Sequence, residues 1–156
     1  MTTYLYIIKL KKNRYYIGST IHKKRIKDQV NQKKRASQWV KTNTVEYLCG
    51  FWDIGLLEYR EAEILETIIS LEIMKKVGLC NVRGGFFTLT NTDGFLQTIS
   101  SHYTINRFGL KNIESLNLNF LKSDLVFSDY KMTRLVEDCL AENGYLSRFM
   151  GNSVGF

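Results

Sequence analysis

The chain has 156 residues, 44% hydrophobic and 13% aromatic, with no proline and a formal net charge of +7. That length suits one domain with its own core, or a small domain with an appendage. Cys49, Cys80 and Cys139 show neither a CxxC pair nor metal-ligand spacing, and no apolar run has membrane-spanning length, which excludes a disulfide scaffold, a cysteine metal centre and a transmembrane helix. No secretory leader is visible, so the expectation is an intracellular protein, not a secreted one.

The charge is unevenly placed. Residues 1–50 hold 12 Lys/Arg against Asp28 and Glu46, which is +10, and residues 51–156 hold 10 against 13, which is −3. A basic half beside a mildly acidic one points to a polyanion partner, against the alternative of a solvated lysine surface.

Two short strands flank Lys11-Lys12-Asn13. Side-chain alternation puts Tyr4, Tyr6, Ile8 and Leu10 on one face of the first, and Tyr16 and Gly18 on one face of the second. If Leu10 pairs with Arg14, Tyr6 lies opposite Gly18 and diagonal to Tyr16. Two readings stand: tyrosines that only pack, or phenols beside a glycine that leaves room for a ligand or backbone.

Ser19 or Thr20 is expected to cap a helix starting near His22, with Ile26 and Val30 as its apolar stripe. His22, Arg25 and Gln29 share another face of that helix. Ala36, Trp39 and Val40 predict a second short helix, and Val45–Trp52 a third strand. Ile64, Leu65, Ile68, Leu71 and Met74 recur at helical spacing over residues 57–77, and Gly78 stops the run. Glu66 falls on the Ala62, Ile69, Ile73 stripe of this helix. A carboxylate among apolar residues needs a cationic partner, so Glu66 is either a metal ligand or a partner for Arg25. Asn81 closes the segment after the helix. Arg83-Gly84-Gly85 reads as a flexible basic turn able to approach a phosphate, or as an ordinary glycine loop.

Residues 94–156 read differently. Phe95–Ser101 is expected to be helical, and residues 106–123 show no clear period. Met132, Leu135, Val136, Cys139 and Leu140 predict a helix capped by Ser128 or Asp129 and ended by Asn143-Gly144. The Phe-rich end, through Phe156, is either a packing tail or a partner surface. The expected architecture is α+β, an α/β chain with a three-stranded antiparallel sheet flanked by helices. Residues 1–90 form the functional domain and residues 91–156 a helical appendage packed on it.

Taken together, Tyr4-Leu5-Tyr6, Tyr16-Ile17-Gly18-Ser19, Arg25, Glu66 and Asn81 resemble the GIY-YIG nuclease family, in its order and over about residues 3–87. Asn81-Val82-Arg83-Gly84-Gly85 resembles the ending of many viral members. The resemblance implies a DNA endonuclease using Mg²⁺ or Mn²⁺, with Glu66 as metal ligand and Arg25 clamping the phosphate. Tyr16 is the first choice for water activation and Tyr6 the second, while Asn81 anchors the Glu66 helix. DNA would be held by Lys12 in the turn, by Lys23, Lys24 and Lys27 on the first helix, by Lys33, Lys34 and Arg35 after it, and by Arg83. Two residues depart from the family's pattern: Tyr4 replaces the first glycine, and Gln29 stands where many members have a histidine. Gln29 cannot carry a proton, which leaves His22 as the candidate substitute. The alternatives are a catalytically inactive nucleic-acid-binding module and, in biology, site-specific restriction or homing. The absence of a zinc motif or basic recognition helix after Asp93 favours cutting of double-stranded or branched DNA by structure, or with a partner. Residues 91–156 are then the expected surface for a homodimer or protein partner.

Overall fold

The computed structural model describes residues 1–105 and 111–155. Residues 106–110, part of the segment read as lacking a period, and Phe156 lie outside the described residues. The hairpin forms in the expected register, with β1 (Tyr4–Leu10) antiparallel to β2 (Arg14–Thr20), Leu10 opposite Arg14 and Tyr6 opposite Gly18. Its turn places Lys12 and Asn13 at positive φ, 62° and 60°. Helix α1 (Lys23–Val30) and the short α2 (Gln38–Thr42) follow, and then β3 (Val45–Asp53), which pairs with β1. Neither Ser19 nor Thr20 caps α1. Its N-cap is His22, whose backbone N–H donates to Thr20 Oγ1 at 3.0 Å.

The sheet has five strands, not three, and is mixed, not purely antiparallel. Its order is β4-β2-β1-β3-β5. Strand β4 (Val82–Gly84) runs parallel to β2, and β5 (Arg148–Gly151) runs antiparallel to β3. The expected basic turn at Arg83-Gly84 is therefore part of a strand, and the expected helical appendage contributes a strand as well. Helix α3 (Tyr59–Val77) ends at Gly78, whose φ of 102° suits a glycine. Helices α4 (Thr92–Ile105) and α5 (Asp129–Glu142) complete the described helices, α5 with the expected Ser128 cap.

Alternation in the strands sorts the core into two layers. Tyr6, Ile8 and Leu10 pack against Ile26, Trp39 and Val40 of α1 and α2. Leu5, Ile7, Tyr15 and Ile17 face α3, in a cluster that also holds Phe95, Ile99, Val136 and Leu140. The core is therefore continuous across residue 90. Phe149 of β5 meets Trp52 edge-on, with ring centroids 5.4 Å apart, so this part of the Phe-rich end packs. Among the described residues no helix is long and apolar enough to cross a membrane.

Candidate active-site cleft

Strand β4 pairs only with Tyr15, Tyr16 and Ile17, which leaves the outer edge of β2 without a strand partner from Gly18 onward. Groups from both sides of the sheet meet at this gap. A cleft of about 590 Å³ opens there, lined by Tyr6, Tyr16, Arg25, Gln29 and Glu66, with Thr20, Tyr59 and Thr88 nearer its rim. Four of the five residues expected to be catalytic are thus brought together, from β1, β2, α1 and α3.

Gly18 makes the floor possible. A Cβ there would sit 2.4 Å from the Tyr6 hydroxyl, so any side chain would displace the phenol. Tyr6 is buried and tilts against the more exposed Tyr16, with centroids 6.1 Å apart. Gln29 is wholly buried: its Nε2 donates to Tyr6 Oη at 3.3 Å and its Oε1 accepts from the Ser37 backbone N–H at 2.9 Å. The residue that departs from the family's histidine is therefore a fixed donor to a phenol.

Burial raises the pKa of both tyrosines above 10. For Tyr6, Tyr16 and Glu66 add to the rise, while Arg25 and the Gln29 hydrogen bond oppose it. For Tyr16, Glu66 adds, and hydrogen bonds from Ser37 and Tyr6 oppose it together with Arg25. Gln29 thus donates to Tyr6, whose ring stands against that of Tyr16. Tyr16 is the phenol that water can reach more freely.

Glu66 comes from α3, is half-buried and lines the cleft together with Ser19 at the open edge of β2. Burial pushes its carboxyl up to about 8, Glu63 adds to the rise, and Ser19 opposes it. No ion pair joins it to Arg25 among the described residues; Arg25 Nη1 instead donates to the Arg35 carbonyl. Of the two readings of Glu66, the partnership with Arg25 is not formed. The described residues contain no group of three or more His, Cys, Asp or Glu that would enclose a metal. One hard oxygen donor in an open cleft suits Mg²⁺ or Mn²⁺, which retain water and add a substrate phosphate to one or two carboxylates.

The remaining expected site residues lie elsewhere. Asn81 is buried outside the cleft, and its Nδ2 donates to the Val77 carbonyl at 2.8 Å, which anchors the end of α3. His22 is exposed and is not among the cleft residues, so it does not stand in for a histidine at position 29. Arg83 is 1% exposed, with Nε donating to Leu89 O at 2.7 Å and Nη1 to Val82 O at 2.8 Å. Arg83 is therefore withdrawn as a surface phosphate contact: its guanidinium is consumed in holding the chain around β4. Gly85 serves close packing as well, since a Cβ there would lie 2.0 Å from Thr67 Oγ1 on α3.

Lys23, Lys24, Lys33, Lys34 and Arg35 are exposed around α1 and the loop that follows it, and Lys23 sits over the Tyr4 ring at 5.3 Å. Lys27 is half-buried and donates to Gly155 O at 3.4 Å. Lys12 lies in the hairpin turn, at the end of β2 away from Ser19. Sequence reasoning missed the roles of Ser19 and Ser37. Ser19 was visible only as the residue after Gly18, and nothing local marks Ser37 as a partner for Tyr16 and Gln29. No protein-family model, curated protein or solved structure matches the chain.

Proposed function

We propose that the chain is a metal-dependent DNA endonuclease that hydrolyses phosphodiester bonds in this cleft. The observation that carries the reading is the meeting of Tyr6, Tyr16, Arg25 and Glu66 in one cleft, from elements up to 60 positions apart. Each supplies a distinct need of phosphodiester hydrolysis. Arg25 clamps the phosphate with forked donors and stabilises charge in the transition state. Tyr16, in its ionised form, takes the proton from the attacking water; the charge of Arg25 opposes the effect of burial on this phenol and so favours that form. Tyr6 positions Tyr16 and is itself held by Gln29. Glu66 would hold Mg²⁺ or Mn²⁺, which supplies charge neutralisation and a more acidic water when bound. The basic surface around α1 would hold double-stranded or branched DNA through its phosphates, which favours structure over sequence as the basis of selection. A homodimer or protein partner would use residues 91–156.

The alternative is a DNA-binding module without catalysis. Its support is that burial keeps both phenols protonated well past neutral pH. Supercoiled, linear, branched and single-stranded DNAs incubated with Mg²⁺ separate the two. Cleavage that disappears with EDTA and in Glu66→Ala supports the nuclease; salt-sensitive binding with no cleavage of any substrate leaves only the module.

A further inference from the structure

A second cavity, of about 260 Å³, lies past Tyr16 toward the start of β2. Arg14 and Tyr16 are two residues apart on that strand and so point to the same side. Among the described residues the cavity wall carries three cations, Arg14, Arg83 and Lys122, and no carboxylate. Arg14 and Arg83 both lie over the Trp39 ring, at 5.4 and 4.3 Å from its centre, and Arg83 also lies 3.6 Å from the centre of Phe95. Neither arginine takes part in an ion pair among the described residues. Two guanidinium groups on one indole with no neutralising acid repel each other unless an anion joins them. Burial already lowers the Arg83 pKa to about 10, and Arg14 acts in the same direction.

The donors are unequally used. Arg83 spends Nε and Nη1 on backbone carbonyls. Arg14 Nη1 donates to Asn43 Oδ1, but Arg14 Nε is buried with no hydrogen-bond partner. A buried donor left unmade is costly, and an anion beside this guanidinium offsets that cost through its charge. Asn91 and Thr92, at the start of α4, also line the cavity, and Asn91 Oδ1 already accepts from the first-turn N–H of Gly94 at 2.6 Å. Asp93 lies in that first turn but not in the wall.

We propose that this pocket binds a phosphate group, held by Arg14 and Lys122 over the fixed charge of Arg83. A planar guanidinium with a lysine beside it suits a tetrahedral dianion. The volume admits a phosphate and part of an attached sugar, and is small for a whole ligand of drug size. A narrower cavity shares Tyr16 and Thr88 with the cleft, and Trp39 and Arg83 with this pocket. The phosphate therefore has two sources, a nucleic-acid backbone running on from the cleft or a free phosphate. The assignment does not depend on DNA cleavage.

The test uses inorganic phosphate and a plain duplex as probes, with the parent chain, Arg14→Gln and Lys122→Gln. Lys122 is exposed, so its replacement leaves folding intact even if Arg14→Gln does not fold. The readouts are the Arg14 Nε–H resonance, the phosphate-induced rise in melting temperature, and duplex affinity against salt. A backbone source predicts that each variant binds duplex about tenfold more weakly, with a salt slope smaller by about one. A free-phosphate source predicts that the response to inorganic phosphate is reduced in the variants while duplex affinity is unchanged. A parent that responds to neither probe at this pocket, or variants that respond as the parent does, would overturn the assignment. A chain that binds phosphate here and cuts no DNA removes the nuclease reading and leaves this one standing.

Discussion

Replacing Glu66 by glutamine keeps its size but removes the titrating proton. The folded carboxyl has its pKa raised from 4.5 to about 8, chiefly by burial. Between those values the folded chain holds a proton that the unfolded chain has released, so the parent loses stability as pH rises through this window. At 1.36 kcal/mol per pH unit the ceiling is about 5 kcal/mol. Glu66 lines an open cleft and is only half-buried, and water there reduces the cost to about 2 kcal/mol. For a chain of this size that corresponds to about 4–8 °C in melting temperature. Melts followed by circular dichroism in EDTA should show the two proteins alike at pH 5 and Glu66→Gln more stable by this amount at pH 9. Added Mg²⁺ should raise the parent's melting temperature at pH 9 and leave the variant unchanged, because ligand that binds only the folded state stabilises it. Equal melting at both pH values, or a parent more stable at pH 9, would refute the buried-carboxyl argument.

Tyr16→Phe should fold normally and lose about 10²-fold or more in single-turnover cleavage, the scale of general-base help. Tyr6→Phe removes the hydroxyl that lowers the Tyr16 pKa, so it should lose less at high pH and move the rising limb of the pH–rate profile upward; an unmoved limb would end its positioning role. Gly18→Ala should cost about 1–3 kcal/mol through overpacking and abolish cleavage, because the new methyl takes the place of the Tyr6 hydroxyl. A variant that melts and cuts like the parent would show that the phenol is not held there. Duplex affinity measured between about 50 and 200 mM salt should fall by orders of magnitude if several lysines around α1 meet phosphates, and a flat response would mark them as a solvated surface.

What could be read from the sequence was mostly local. Alternation around Lys11-Lys12-Asn13 is enough to set Tyr6 against Gly18, because the hairpin register follows from its turn. The apolar period of α3 and its stop at Gly78 are likewise local, as is the Ser128 cap. Strands β4 and β5 were not legible. They have three and four residues, too few for a period, and their partners lie far away in sequence. Arg83 shows the same limit for the site: its charge suggests a surface, and only Trp39, Phe95 and the Leu89 carbonyl explain its burial. Tyr6, Tyr16, Arg25 and Glu66, which the resemblance names together, line one cleft, and Asn81 sits at the helix end, where its hydrogen bond to Val77 matches the anchoring read from the sequence. The resemblance could not foresee Gln29 as a donor, since that role depends on the loop at Ser37 returning to α1.

The strand order β4-β2-β1-β3-β5 has a consequence for synthesis. The phenols and most of the positive charge leave the ribosome first. At 5–20 residues per second, Glu66 follows Tyr6 by about 3–12 s, and the β4 segment later still. During that interval the nascent chain carries its basic segment without the acid that completes the cleft. On the proposed function, attraction to nucleic acid would then arise before any capacity to cut, which waits until α3 docks against β2.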